Sequence, residues 1–540
     1  MTDLPPRLSE LLDEQGVDAT RGHRVLAALS DGRWWSGREL VRATAVANRV
    51  MDGVLDALGD ELERDDERVR LRAPGGYAAF DRPRPADPVG HLLHARPEAA
   101  AELERLVAEA PRSRLDLDHV AATADTALRR AVFLATRFEL SGARLLCVGD
   151  HDLTSLAAGL VRPGTEADVV DVDERMLAYI DSAAARLGLR VRCHFADLRL
   201  GLPAAVRGRA DLVFTDPPYT PEGVELFVRR GLEGLADPRR GRVLLAYGAS
   251  ETTPALTVKT QERLTRLGLA TEAIWPDFNR YLGAEAIGAA SDLYVLRGTT
   301  RTPAGGSGRD AARIYSRGAN AKESRGALDA ATAGALPDLA AADTVVGDWP
   351  SGAVPEGARR VRTVTWLAAP TAAQDAVINL TGGWEALLSR SILASSAARV
   401  RVVVPAGTPE VRDAAGQRNL REIVAPRYEL RFLNGSPDAR RCVVAARRVD
   451  LPDDADPVTR LLWHCRDRAH GTVASVLREG LIRVAADIGH PVNKKQARTR
   501  IAAAAPWLSG HTLLDLPRHR LKELDHAVAA LVADLNAPTP

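Results

Sequence analysis

ARLLCVGDHDLTSLAAGLVRPGTEADVVDVDE, residues 143–174, and DLVFTDPPYT, residues 211–220, decide how the rest of the chain is read. The first holds an apolar run, a turn bearing Asp150, His151 and Asp152, a helix-length segment, and a second apolar run closing on Asp171 and Asp173. The second is another apolar run that stops at Asp216-Pro217-Pro218-Tyr219. Short apolar runs separated by helix-length segments predict buried strands of a parallel, doubly wound α/β sheet. Further strands are predicted at 190–195, 241–247, 271–275 and 291–296, with helices starting at Thr154 and Glu174.

Working outward, residues 1–72 follow the order of a winged helix-turn-helix, with a helix around His23, a short strand at Trp34-Trp35, helices from Gly37 and Asn48, and an alternating wing at 62–72. The helix from Asn48 carries Arg49 but also Asp52 and Asp56, acids that oppose phosphates. A dimerisation or lid role is therefore favoured over nucleic-acid contact. Residues 73–140 form a Gly/Pro-rich connector and helical lead-in, including a helix at Pro97–Glu109 and one bearing Arg129-Arg130. The catalytic-type sheet occupies 141–300, and RTPAGGSGRD opens a linker at 301–320. Strand-like runs at 361–368 and 400–404, with a hairpin pattern at 428–449, predict a second, degenerate α/β module over 321–455. A helical tail, 456–540, holds half the histidines of the chain, without ligand spacing and therefore read as surface residues.

Composition sets the outer bounds. At 540 residues, with 46% hydrophobic and 26% charged residues, the chain has material for three or four globular domains of roughly 150 residues each. A formal charge of +1 supplies no overall field towards nucleic acid. The four cysteines, Cys147, Cys193, Cys442 and Cys465, form no CxxC pair and read as small core residues, so no metal site is expected. MTDLPPRLSELLDE lacks a basic segment leading into an apolar one, and no apolar run reaches membrane-spanning length. A cytoplasmic location without membrane attachment is the resulting expectation.

The chemistry sits at the carboxyl ends of the strands. Gly149 permits close backbone approach after strand one, and Asp171, ending strand two at the usual offset, is placed to accept from ribose hydroxyls, with Asp173 as the alternative register. Asp197 follows strand three, where a carboxylate accepts from an adenine amino group. The loop has one glycine and no GxGxxG, which favours a nucleoside over a dinucleotide. Two prolines ending a buried strand remove ladder hydrogen bonds, a cost justified where a rigid carbonyl turn is needed. Asp216-Pro217-Pro218-Tyr219 resembles the signature with which amino-directed methyltransferases hold an amine against a sulfonium, the aromatic ring stacking on the acceptor.

Taken together, LDLDHVAATADTALRRAVFLATRFELSGARLLCVGDHDLTSLA (115–157), VVDVDERMLAYI (169–180), DLVFTDPPYTPEGVELFVRRGL (211–232) and IWPDFNRYL (274–282) resemble the branched-chain polyamine synthases, the N4-bis(aminopropyl)spermidine synthases. The resemblance covers roughly residues 10–300. It implies a winged helix before a Rossmann-like sheet of the class I methyltransferase type, and aminopropyl transfer from decarboxylated S-adenosylmethionine to spermidine amines. In that family the strand-one turn is a run of three acids and glutamate follows the two prolines. Here His151 and Tyr219 stand in those places.

On this reading Asp216 orients the acceptor amine, Asp150 lies near the sulfonium, and His151 and Asp152 are candidates for proton handling. Gly149, Asp171, Asp197 and Pro217 contact the donor, while Glu222 and Glu225 are possible replacements for the missing glutamate. An attacking ammonium has a pKa near ~10 and must lose a proton, and an imidazole of pKa about 6.5 is a candidate base. The alternatives are S-adenosylmethionine-dependent N-methylation of a base or larger acceptor and a catalytically disabled winged-helix sensor. The expected partners are a small polyamine and a second copy of the chain. More weakly, 375–477 resembles an rRNA adenine dimethyltransferase, with Asn379-Leu380-Thr381-Gly382 in place of that family's motif. Arg460, Arg466, Arg468, Lys494, Lys495, Arg498 and Arg500 of the tail could then touch phosphates, although a solvated helical face is favoured.

Overall fold

The computed structural model describes residues 4–16, 19–81, 87–249, 253–303 and 327–536. Most of the expected linker at 301–320 therefore lies outside the described residues. The described residues fall into two compact units, one drawn from 1–169, 182–191 and 208–316, the other from 170–181, 192–207 and 317–540.

The first unit begins with helices Pro6–Gln15, Ala19–Leu29, Gly37–Thr44 and Asn48–Leu58 and a small sheet of β1 (Trp35–Ser36), β2 (Leu62–Asp65) and β3 (Arg68–Leu71) in the order β1-β3-β2. This is the winged helix with one added N-terminal helix. The helix at Gly37 starts where it does because Ser36 and Glu39 form a reciprocal capping box. Leu8, Val25, Leu26, Leu40, Val41, Met51 and Val54 make its core, and Ala289, far along the chain, is buried in the same cluster.

The central sheet contains β4 (Arg144–Val148), β5 (Glu166–Asp171), β6 (Arg190–Phe195), β7 (Leu212–Thr215), β8 (Arg242–Tyr247), β9 (Leu269–Arg280) and β10 (Ala290–Gly298), in the order β6-β5-β4-β7-β8-β10-β9. β4, β7 and β8 are parallel, whereas β10 runs antiparallel to both β8 and β9. The sheet is thus mixed rather than wholly parallel, because its last two strands form a hairpin. That hairpin is where the winged helix docks. Arg24 pairs with Asp277 at 2.8 Å, Arg42 donates to the carbonyl of Leu282 at 2.7 Å, and Gly288 abuts Ala45.

The second unit carries β11 (Thr344–Val346), β12 (Arg359–Val361), β13 (Asp375–Asn379), β14 (Arg399–Pro405), β15 (Tyr428–Asn434) and β16 (Arg441–Arg448), ordered β12-β11-β13-β14-β16-β15. Numbered within each sheet, the central order is 3-2-1-4-5-7-6 and the later order 2-1-3-4-6-5, the same sequence with one outer strand missing. Of the apolar run at 361–368, only Val361 lies in a strand, at the end of β12. Thr363–Ala368 is a helix whose Trp366 is buried and donates to the carbonyl of Ser391 at 3.0 Å. An apolar run this short does not distinguish strand from buried helix by periodicity. Helices Pro457–Asp467, Val473–Asp487, Lys494–Ala504 and Arg518–Asn536 form the tail. Two tail residues read as surface are not: Arg466 is buried and pairs with Asp525 at 2.6 Å, and His511 is buried.

The docking contact has a direct test. Gly288 has φ +79°, and a Cβ there would lie 2.8 Å from the carbonyl oxygen of Ala45. Gly288→Ala is expected to cost more than about 1 kcal/mol, read as a lower urea midpoint together with faster proteolysis of the winged helix.

Candidate active site

β4 runs into a turn that only particular backbone conformations can close. Gly149 has φ +73°, and a Cβ there would meet the Phe227 ring at 3.3 Å. At the far end of the turn Leu153 is held at φ +61°, a conformation rare for a branched apolar residue. Between them the two acids take different duties. Asp150 accepts from the backbone N–H groups of Thr154 and Ser155 at 2.8 and 3.1 Å, capping the helix Thr154–Val161. Burial, reinforced by Asp152, pushes its pKa up to about 7 against those hydrogen bonds. Asp152 accepts from Ala122 N–H at 2.8 Å and from Arg130 Nη1 at 2.8 Å. Against its own burial, His151 and Arg130 hold it below the usual carboxylate range.

Arg130 is the residue that the sequence reading passed over. It projects from the helix Ala124–Arg137 and is 1% exposed. Its Nη2 donates to Asp216 at 2.6 Å, its Nε to Asn279 at 2.8 Å, and its plane lies 4.7 Å from the Phe214 ring. One guanidinium therefore joins the β4 turn, the end of β7 and the last hairpin. The available signal was its spacing: with Ala127 and Leu134 it lies on the buried face of its helix, where a cation needs partners.

Asp216 ends β7 and receives, besides Arg130, the hydroxyls of Tyr281 at 2.8 Å and Tyr219 at 3.0 Å. Burial pushes its pKa up to about 6, Arg130 opposing and Asp152 adding to the shift. Tyr219 and Tyr281 touch through their oxygens at 2.8 Å, and Ser291 lies 2.7 Å from the Tyr281 oxygen. Burial first, then Asp216, raises both tyrosine pKa values, so both stay protonated donors. Tyr219 is thus tied to the carboxylate by its hydroxyl and set edge-on against Tyr247, with ring centroids 5.6 Å apart.

His151 Nε2 lies 2.7 Å from the carbonyl of Val120 and 3.1 Å from Asp152, two acceptors that place the proton on Nε2. Its ring stacks on His119, with centroids 4.5 Å apart. A cavity of about 180 Å³ opens onto this cluster, lined by Asp118, His151, Asp216, Pro217, Tyr219 and Tyr281, among others. Glu222 and Glu225 are not part of it, since both pair with Arg263. In the second unit, Asp171 ends β5 and accepts from Asp173 N–H at 2.8 Å. Asp173 itself pairs with Arg175 at 2.7 Å. Asp197 forms a two-pronged pair with Arg199 at 2.8 and 2.6 Å, and Arg199 lies 3.6 Å from the centroid of the Trp384 ring.

A sheet of this order, with a carboxylate and two prolines at the end of its fourth strand, defines an α/β domain of the class I methyltransferase type. Residues 98–302 match the family model of the branched-chain polyamine synthase A C-terminal domain. The chain is 37% identical over 176 residues to an uncharacterized protein of Methanocaldococcus jannaschii, covering 33% of this chain and 44% of that one. It is also 37% identical over 113 residues to an N(4)-bis(aminopropyl)spermidine synthase of Thermus thermophilus, covering 21% of this chain and 33% of the relative. The chain thus spans less than half the length of these curated relatives. The crystal structure of the branched-chain polyamine synthase from Thermus thermophilus, in complex with N4-aminopropylspermidine and 5'-methylthioadenosine, aligns with a TM-score of 0.43 at 24% identity, over 58% of this chain and 98% of that one. Among the described residues, no helix is long and apolar enough to cross a membrane.

The ion cluster predicts a large stability effect. Arg130→Met leaves Asp152 and Asp216 buried without their cation, and is expected to lower unfolding stability by about 3–5 kcal/mol in urea titrations.

Proposed function

We propose that this protein transfers an aminopropyl group from decarboxylated S-adenosylmethionine to an amine of a small polyamine such as spermidine. The observation that carries the reading is Asp216: a carboxylate at the strand-four end, on the cavity wall, with its pKa pushed up to about 6. It lies within the region that matches the polyamine synthase family. In this reading the acceptor nitrogen, neutral and held in the cavity, attacks the methylene carbon bonded to the sulfonium sulfur. The new N–C bond forms as the C–S bond breaks, and its electron pair stays on sulfur, releasing methylthioadenosine. The proton lost by nitrogen passes to Asp216, which near neutral pH is both ionised and basic enough to take it.

Arg130 and the two tyrosine hydroxyls hold the Asp216 carboxylate in place while they temper its charge. Asp118 is a second carboxylate on the cavity wall and suits a second ammonium of the acceptor. The ring-stacked His151 closes one side, and in this reading it passes the proton outward while ionised Asp152 orients its ring. For the donor, the positive-φ Gly149 lets the backbone approach the nucleoside, Asp150 sits at the helix cap near the sulfonium, and Pro217 lines the wall. Asp171, at the end of β5, is the ribose acid in this reading. Asp197 would receive the adenine amino group only by sharing its oxygens with Arg199.

The test is incubation with spermidine and either decarboxylated or ordinary S-adenosylmethionine, followed by chromatography of the nucleoside product. Methylthioadenosine formed only from the decarboxylated donor is expected. S-adenosylhomocysteine as sole product would replace the reading with methyl transfer, and no product from either donor would replace it with a sensor. Asp216→Asn should lower kcat by about 10²–10⁴-fold with little change in donor affinity, whereas Asp171→Ala should weaken donor binding in calorimetry. Because ionised Asp216 is the acceptor of the proton, kcat/KM should fall as pH drops through about 6, and this limb should be absent from residual activity in Asp216→Asn.

A further inference from the structure

The end of β6 and the loop before the last helix bring two imidazoles and a carboxylate together inside the second unit. His194, His511 and Asp515 are 1%, 3% and 7% exposed. The two rings stack with centroids 4.2 Å apart. Asp515 Oδ1 lies 2.8 Å from His511 Nδ1 and 3.9 Å from His194 Nδ1, and one ligand atom from each residue falls within 4.8 Å of the others. The backbone fixes this arrangement from both sides. Phe195 N–H donates to the Asp515 carbonyl at 2.8 Å, while the N–H and hydroxyl of Thr512 donate to Asp515 Oδ2 at 3.2 and 2.9 Å. Oδ1 is thereby the oxygen turned towards the imidazoles.

A divalent ion bound at about 2.0–2.2 Å to nitrogen and carboxylate oxygen separates its ligand atoms by roughly 3–4 Å, and the two observed spacings, 2.8 and 3.9 Å, lie just below and within that range. Ligating carboxylates are themselves commonly hydrogen-bonded, as Asp515 is by Thr512. Burial lowers the pKa of His511, and Asp515, against its own burial, is held below the usual carboxylate range by the two imidazoles. A neutral imidazole and an ionised carboxylate are the forms a metal takes.

We propose that His194, His511 and Asp515 bind one divalent transition-metal ion, zinc or ferrous iron by donor type. The ion ties the end of β6 to the 511–515 loop. Asp197 follows Phe195 by two residues, so the ion also steadies the loop that carries it.

The full-length protein is stripped with a chelator, then offered Zn²⁺ or, anaerobically, Fe²⁺, desalted, and measured for metal content and thermal unfolding. One retained ion per chain with a raised Tm is expected, and the metal that is retained identifies the native type. His511→Ala and Asp515→Asn, shown to be folded by circular dichroism, should lose retention. Failure of the wild type to retain either metal or to shift Tm overturns the proposal, as does unchanged retention in a folded His511→Ala. If both variants misfold, Co²⁺-loaded wild type decides: visible d–d bands without thiolate charge transfer support nitrogen and oxygen ligation. Thiolate bands, which would point to neighbouring Cys193, or no bands at all, overturn it.

Discussion

The buried cation Arg130 constrains the candidate site. Removing a guanidinium from water costs several kcal/mol, and the cost is offset only if its donors find well-placed anionic or carbonyl partners. Arg130 finds Asp152, Asp216 and Asn279, which come from three separate parts of the chain. The helix, the strand-one turn, the strand-four end and the last hairpin are therefore mutually positioned by one charge. The same arrangement separates the two acids in function. His151 and Arg130 hold Asp152 below the usual carboxylate range, whereas burial, with Asp152 adding and Arg130 opposing, pushes the pKa of Asp216 up to about 6. Two carboxylates whose environments drive their pKa values apart are how one site both holds and moves a proton.

What could be read from sequence was local. Strand β7 and its Asp-Pro-Pro-Tyr end are contiguous, and the apolar runs of β4 and β5 differ from their surroundings within a few residues, so the sheet and the acids at its edge were legible. Arg130 was not, because its meaning depends on Asp152, Asp216 and Asn279, and no local pattern encodes a pairing across 86 or 149 residues. Tyr219 illustrates a subtler limit. Its place on the cavity wall follows from the motif, but the bonding of its hydroxyl to Asp216 and Tyr281 does not, because a buried phenol takes whatever hydrogen-bond partner the fold brings to it. The burial of His511 is not legible from spacing along the chain, because it depends on His194, which stacks on its ring from more than 300 residues away.

The second sheet shows what remains when strand order persists without the acids. β13 occupies the place that β7 holds in the central sheet, and at its end Asn379 turns back to accept from Thr381 N–H and hydroxyl at 3.0 and 2.7 Å. Its carbonyl oxygen is satisfied within its own turn, and Arg362 rather than an acid follows β12. The architecture is stabilised by apolar strands and buried residues such as Trp366, and those requirements do not include a nucleoside cradle.

The hairpin on which the winged helix docks carries Tyr281 and Ala284, both on the cavity wall. Ala289 and Gly288 of the same connection are packed into, or against, the winged helix. Docking and cavity shape are thus two readouts of one loop. By thermodynamic reciprocity, if docking of the winged helix favours a molecule in the cavity by some factor, that molecule favours docking by the same factor.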